Sequence, residues 1–464
     1  MLYAAYGPEP GCSRETLYYI YYNMDFSYKK IWAITFPVLI SLVMEHLLGM
    51  TDAVFLGRVG EIEFGASGLG GIYYMVLYMI GFGFSIGAEI LMARRNGQKQ
   101  YRTIGHIFYQ GTILLVGLAA VMFLISNLFS PGILRAMISS EAVYEATMSY
   151  TRWRSFGFFF SFIAIMYRAY YMATTKTKIL TLNSLVMVGS NVVFNYILIF
   201  GKLGFPALGI AGAAIGSSLA ELVSLIFFIL YTRYRTDYKK YGMFRITRPS
   251  WNIQKQILKV ASWTMIQYFI SCGTWLFFFL ATEHLGERTL AVSNLVRQLS
   301  SLLYLFVSAF ATTGSAMVSN LMGSGGQDQI LPLCRRIIKI CALCTLPLFL
   351  FAALAPSLIM QIYSNNMDMI ADAIPSFMVM LVSYFFSVPG YVYFLAISGT
   401  GNTKAALWIE VSILMVYVAV TYLFAFLIQT DIAVVWSVES IYGILLLATS
   451  YIYLKKAKWR EKVI

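Results

Sequence analysis

The chain has 464 residues, 59% of them hydrophobic and only 12% charged, with a formal net charge of +13 and a mean hydropathy of +0.71. A typical soluble domain carries about 25% charged residues, so the composition excludes a soluble enzyme and predicts a polytopic membrane protein. The positive charge could point to nucleic acid, but the basic residues fall in loops on one side of the predicted spans, and no nucleic-acid partner is expected.

Residues 1–28 read as a cytoplasmic tail. They are rich in aromatics, contain Pro8, Pro10 and Gly11, and lack the basic-then-apolar order of a cleavable signal. Met24 opens Met-Asp-Phe-Ser-Tyr-Lys-Lys directly before the first span, so residues 1–23 read as an upstream extension of the reading frame.

Twelve apolar runs follow, each about 20 residues or longer, the length a helix needs to cross a bilayer. They are 31–56, 65–93, 104–129, 147–174, 179–201, 205–231, 255–282, 288–322, 332–354, 372–398, 404–428 and 432–454. The expected fold is an all-α integral membrane protein, and an even number of spans puts both termini on one side.

The first span carries two acids, Glu45 and Asp52. An ionisable side chain in hydrocarbon costs from a few to more than ten kcal/mol, so such residues usually carry function. Seven residues turn a helix through about 700°, which puts both acids on one face, roughly 10.5 Å apart along the axis.

Of the 34 basic residues, 26 fall in the termini and even-numbered loops and four in the odd-numbered loops (Arg58, Arg135, Lys202, Arg288). The remaining four, Arg152, Arg154, Arg168 and Arg297, lie within spans. The asymmetry predicts a multi-pass cell-membrane protein with both termini cytoplasmic. The longest loop, 232–254, is basic and central. It separates an N-lobe of six helices (29–231) from a C-lobe of six (255–454), with a tail at 455–464.

The lobes repeat. Val59-Gly60-Glu61 matches Leu285-Gly286-Glu287 at an offset of 226 residues, which also pairs Ile31 with Ile257, Gly97 with Gly323, Thr174 with Thr400 and Thr177 with Thr403. Beyond the fifth span Ile210-Ala211 matches Ile432-Ala433 at an offset of 222. Six spans per lobe make these parallel repeats about an axis along the membrane normal, as in many secondary transporters.

Other motifs read as structure. Cys341-x-x-Cys344, with Cys334, lacks a second pair or a nearby histidine, and His46, His106 and His284 share no ligand spacing, so no structural metal site is expected. Gly81-Phe-Gly83-Phe-Ser-Ile-Gly87 lies inside a span and follows no strand, which fits close helix packing rather than a dinucleotide loop. There is no Walker motif, so ATP is not the expected energy source.

Pro37, Glu45 and Gly49-Met-Thr-Asp52-Ala-Val-Phe-Leu-Gly57-Arg-Val-Gly60 together resemble the first-helix signature of the multidrug and toxic compound extrusion (MATE) family. Asn191-Val-Val-Phe-Asn195-Tyr-Ile-Leu-Ile-Phe-Gly201 resembles its fifth helix and Gly209-Ile-Ala-Gly212-Ala-Ala-Ile-Gly-Ser217 its sixth. Gly399-Thr-Gly401-Asn402-Thr-Lys404 resembles a family loop, and the similarity covers about 28–455. The resemblance implies a monomeric proton- or sodium-driven exporter of organic cations and other amphipathic compounds, without a cofactor, with two lobes around a cavity. It implies that Asp52 takes up the coupling cation, with Asn191, Asn195 and Ser217 as partners. Asn195 stands where some members have aspartate, Ser217 where threonine is common, and Glu45 where glutamine is usual.

The residues themselves allow this chemistry. Asp52 is about 6 Å below the outer end of its span, Asn195 about 9 Å, Asn191 about 15 Å and Ser217 about 18 Å. A carboxylate with amide and hydroxyl oxygens suits Na⁺, expected at Asp52, Asn191 and Asn195, and a buried carboxyl can equally carry a proton. Asparagine and serine in membrane helices also serve packing alone. Glu45 is a second proton site or a partner for Arg168. The second lobe has Phe278 in place of Asp52 but carries Glu410, opposite Ser184 in the repeat, and Glu439, opposite Ser217. They read as cavity acids for a cationic substrate or a second ion, or as water-facing glutamates at the interface. Glu89 and Glu221 read as partners for the basic loops.

The resemblance thus implies small organic cations as the substrate class, with the lipid bilayer as the other expected partner. The alternative transporter is a flippase for lipid-linked saccharides, which needs a strongly cationic cavity; the intramembrane Arg168 and Arg297 keep that reading open. An integral-membrane enzyme would need clustered His, Asp or Ser groups, and a channel would need charge repeated in both halves.

Overall fold

A computed structural model of the chain describes residues 26–245, 247–363, 366–457 and 459–460; the upstream extension read at 1–23 lies outside the described residues. In hydrocarbon every backbone N–H and C=O must be satisfied within the segment, so apolar runs of this length become helices. In chain order the principal helices are α1 (Tyr28–Leu56), α2 (Glu61–Gly97), α3 (Tyr101–Met137), α4 (Glu141–Arg154), α5 (Gly157–Ala173), α6 (Lys178–Phe200) and α7 (Gly209–Arg235). The second half continues with α8 (Trp251–His284), α9 (Glu287–Ser324), α10 (Ile330–Leu354), α11 (Met367–Gly399), α12 (Thr403–Tyr422), α13 (Ile432–Trp436) and α14 (Val438–Lys456).

Eleven helical stretches, counting α12 and α13–α14 with their extensions, are long and apolar enough to cross a membrane, and α4 with α5 forms a twelfth span bent by 50°. The protein is a multi-pass membrane protein with two lobes of six spans. The fourth span is thus broken where 147–174 reads as one apolar run. At the break Arg154 turns to a carboxylate on α7 and the Ser155 hydroxyl accepts from Asn127 at 3.2 Å. Polar groups that would otherwise face lipid are turned into the lobe.

The two large cores do not follow the chain midpoint. Ile31 and Ile34 at the start of α1 pack into the core of the second lobe, and Ile257, Val260 and Ala261 at the start of α8 pack into that of the first. The repeat is exact in its bonding here. Thr177 donates to the carbonyl of Ile34 at 2.7 Å, and its counterpart Thr403 donates to the carbonyl of Val260 at 3.0 Å.

The face carrying the ends of the chain is here called the terminal face. On this side the halves are tightly joined. Residues 83–94 of α2 and 309–322 of α9 are buried without interruption. Thr35 bonds Thr313 at 2.9 Å, Thr264 donates to the Gly83 carbonyl at 2.7 Å, and Ser319 donates to that of Ile90 at 2.6 Å. Arg94 reaches the carbonyl of Thr400 at 3.4 Å and Asn320, its repeat partner, that of Ala173 at 2.9 Å. Toward the opposite face α1 and α2 expose Val54, Phe64 and Ile72, and α8 exposes Phe269 and Leu280. Among the described residues, the hydrogen bonds between lobes lie in the terminal-face half of the spans.

The seam depends on Gly97 and Gly323. A Cβ on Gly97 would lie 2.0 Å from the Asn320 carbonyl oxygen, and one on Gly323 would lie 2.1 Å from that of Arg94. Both partners are backbone, so the helix ends must part to admit a methyl group. In a cysteine-free background, a Ser319→Cys probe on the terminal face is expected to react several-fold faster with a water-soluble thiol reagent when Gly97→Ala is added. Unchanged labelling would mean that the seam tolerates the methyl.

Candidate functional site

Asp52 lies one turn from the end of α1, in the half of the spans away from the terminal face, and is partly exposed. Its carboxylate is held by three side chains from the facing helices. Asn195 and Asn191 of α6 donate to Oδ1 at 2.6 and 3.2 Å, and Ser217 of α7 donates to Oδ2 at 2.8 Å. Asn191 and Asn195 are one turn apart on one face of α6 and are fully buried, as is Ser217 at 2% exposure. The set closes on itself, with Asn191 donating to Ser217 at 3.1 Å and Asn195 donating to the Asn191 carbonyl oxygen at 3.2 Å. Asn195 Oδ1 is buried and has no hydrogen-bond partner among the described residues. An unpartnered acceptor beside a carboxylate presents hard oxygens of the kind that suit a small cation.

One turn further along α7, Glu221 pairs with Arg154 of α4 through two contacts, 2.9 and 2.5 Å. The guanidinium lies 3.8 Å from the ring centroid of Tyr74 on α2, whose hydroxyl donates to Glu221 at 3.4 Å. Both charges are almost entirely out of solvent. A charge pair at this depth is held by the extra bonds around it rather than by attraction alone.

Below this pair is a cavity of about 180 Å³ lined by Ser41, Glu45, Tyr78, Phe82, Arg168 and Ser184, among others. Ser41 donates to Glu45 at 3.2 Å and bonds Ser184 at 2.6 Å. The matching region of the second lobe has Gln267 for Ser41, Ser271 for Glu45 and Glu410 for Ser184. Ser271 donates to Glu410 at 2.6 Å; Glu410 is 5% exposed and its other oxygen has no partner among the described residues. At these three matched positions each lobe has one acid, Glu45 on α1 and Glu410 on α12.

The same exchange occurs at the site of Asp52. The repeat puts Phe278, Tyr417, Thr421 and Glu439 in place of Asp52, Asn191, Asn195 and Ser217. Tyr417 donates to Glu439 at 2.8 Å, and Phe278 packs edge-on against Trp436 at 5.0 Å. Glu439 opens on a second cavity of about 350 Å³, walled by Trp275, Tyr304, Tyr384, Tyr391 and Trp436.

A family model for MatE matches residues 37–197 and 264–423, one match in each lobe and most of the chain. The chain belongs to the MATE family. A probable multidrug resistance protein NorM of Pasteurella multocida is 22% identical over 82% of both chains. That of Thermotoga maritima is also 22% identical, over 81% of this chain and 80% of its own. An outward-facing multidrug resistance MATE transporter superposes with a TM-score of 0.84 at 19% identity, over 92% of this chain and 95% of the other. A Pyrococcus furiosus transporter of the MOP superfamily, described as having a binding pocket of reversed polarity, gives 0.83 at 20% identity, over 93% and 97%.

In this MATE transporter Asp52, Asn191, Asn195 and Ser217 meet although their depths differ by up to 12 Å when read from span ends. The sixth span begins at Gly209 rather than 205, which raises Ser217 by about 6 Å. Glu221 is not a partner for the basic loops; it is the counter-charge of Arg154 inside the lobe. Glu89 is likewise buried, at 3% exposure in α2, and forms no ion pair with a basic loop among the described residues. Glu45 and Arg168 share a cavity but form no ion pair among the described residues. Arg297 is spread over the rings of Trp275 and Phe279, 5.6 and 4.9 Å from their centroids. Sequence reasoning missed Arg154–Glu221. The available signal was an arginine within a span, which requires an acid at its own depth.

Proposed function

We propose that this MATE transporter exports organic cations and related amphipathic drugs in exchange for H⁺ or Na⁺ by alternating access. The observation that carries the reading is Asp52, held by three donors beside the unpartnered oxygen of Asn195. The lobes meet at the linker 232–254, and the terminal face, which carries most of the basic residues, is cytoplasmic. On that assignment the half of the spans in which no hydrogen bond joins the lobes among the described residues faces outward, the side from which the coupling ion reaches Asp52. The second-lobe cavity supports the substrate class. One carboxylate, Glu439, sits among aromatic rings, and a cation over an aromatic face gains about 0.5–2 kcal/mol. The names of the NorM relatives agree with multidrug export. A lipid-linked saccharide would need a cationic cavity, whereas the arginine of the first cavity shares it with the acids Glu45 and Glu221 and Arg297 lies over aromatic rings.

The test is accumulation of ethidium in proteoliposomes under imposed H⁺ or Na⁺ gradients. Uphill accumulation with one of the two ions, and a half-saturating ethidium concentration raised roughly tenfold by Glu439→Gln, are expected. No accumulation under either gradient would overturn the function, and an unaltered concentration dependence in Glu439→Gln would remove the cavity from it.

A further inference from the structure

A third cavity, of about 460 Å³, lies on the terminal face between α1, the α5–α6 turn and α7, far from the acids of the transport site. Four cationic side chains line it: Lys30 at the start of α1, Lys176 and Lys178 around the start of α6, and Arg235 at the end of α7. Its lining contains no acid, and hydroxyls of Thr175, Thr177 and Tyr231 complete it. None of the four cations forms an ion pair among the described residues. The acid nearest in sequence to Arg235, Asp237, lies outside the lining and accepts the backbone N–H of Lys240 at 3.1 Å. Desolvation, then the like charge of Lys240, holds the Lys176 ammonium below the usual lysine range, with Asp237 opposing.

The turn that presents Lys176 is strained. Thr175 has φ +57°, a left-handed conformation that a β-branched residue rarely adopts. The counterpart in the second lobe is Gly401 at φ +83°, which carries no such strain. The repeat also replaces Lys30, Lys176 and Arg235 with Gln256, Asn402 and Ala457. Asn402 is bonded to the Tyr453 hydroxyl, and the one retained cation, Lys404, lies over the ring of Trp263 at 5.4 Å. The fold therefore does not require these cations, since the same turn is built without them.

We propose that this pocket binds the phosphate headgroup of an anionic phospholipid at the membrane surface. Basic pockets between spanning helices recognise such headgroups. The site also offers a path for the acyl chains. Leu182 and Leu185, four and seven residues beyond Lys178 on the same helical stripe, are 46% and 49% exposed. The headgroup supplies the counter-charge that the pocket lacks, and the chains lie along α6.

Native mass spectrometry of the purified full-length protein, loaded with a mixture of phosphatidylglycerol and phosphatidylcholine, tests this. The protein is expected to retain phosphatidylglycerol selectively. The triple variant Lys176→Gln/Lys178→Gln/Arg235→Gln should lose about tenfold or more of that retention. A Lys455→Gln/Lys456→Gln control on the same face should keep it, and each protein should unfold at an unchanged temperature in phosphatidylcholine alone. Thr175→Gly, which relieves the strain but removes a hydroxyl, should raise the unfolding temperature and lower retention. Equal losses in triple and control would overturn the proposal, as would unselective lipid retention. Displacement by inorganic phosphate alone at millimolar concentration would overturn it as well, by making free phosphate the ligand.

Discussion

Asp52→Asn is expected to abolish uphill accumulation of ethidium, reducing it to the level of protein-free vesicles, while leaving the protein folded. The two side chains have the same shape, and the neighbourhood can adapt. Asn195 and Asn191 would still donate to the retained oxygen, and the Ser217 hydroxyl, which donates to Oδ2 at 2.8 Å, can accept from the new amide instead. What disappears is the negative charge, and with it the ability to take up a proton or a sodium ion. Downhill leakage of substrate should persist, because the cavities are untouched. Asp52→Glu keeps the charge but displaces it by about one carbon–carbon bond. Misplacement on this scale can cost about a hundredfold, so strongly reduced but coupled transport is expected. Normal uphill accumulation in Asp52→Asn would remove this residue from coupling.

Arg154→Met is expected to destabilise the first lobe by about 3–5 kcal/mol, because it leaves the Glu221 carboxylate buried without a counter-charge. Glu221→Met should cost a similar amount, leaving a guanidinium among Tyr74, Tyr150 and Gly157. The double variant should recover most of the loss, since replacing a buried ion pair by apolar side chains of similar volume is often neutral or stabilising. Thermal unfolding in detergent, read as a double-mutant cycle, measures the coupling. Losses that simply add would show that the pair does not act as a unit. The site one turn away on α7 gives a second readout: a single variant that loosens α4 against α7 should also impair the Ser217 contact to Asp52 and so reduce gradient-driven transport.

Much of the architecture was legible because membrane insertion imposes its own grammar. Apolar runs of fixed length, basic loops on one side and the 226-residue register each follow from local composition, and they delivered twelve spans in two lobes. The break at Arg154 was less visible, since composition cannot distinguish a straight span from one bent to bury an arginine. The acid of the first span stood out for the same reason in reverse, an isolated charge in an apolar helix. Glu221 did not stand out. It lies near enough to a basic loop in sequence for that loop to seem its partner, and only packing shows which charge it meets.

The amino-acid sequence by itself determined what each helix carries: Asp52 and Glu45 on α1, Asn191 and Asn195 on α6, Ser217 and Glu221 on α7, Glu410 and Glu439 in the second lobe. It also determined the pairing of positions between lobes, because a duplicated register survives substitution of individual residues. Only the tertiary structure decided which of these groups touch. The late start of α7 brings Ser217 toward Asp52, and the 50° bend between α4 and α5 falls where Arg154 meets Glu221. The packing of α12 against α14 sets Tyr417 on Glu439. The physical reason is geometric. Periodicity specifies the face a residue occupies on its own helix, whereas depth, tilt and the neighbour across the groove are set by the packing of all twelve spans together.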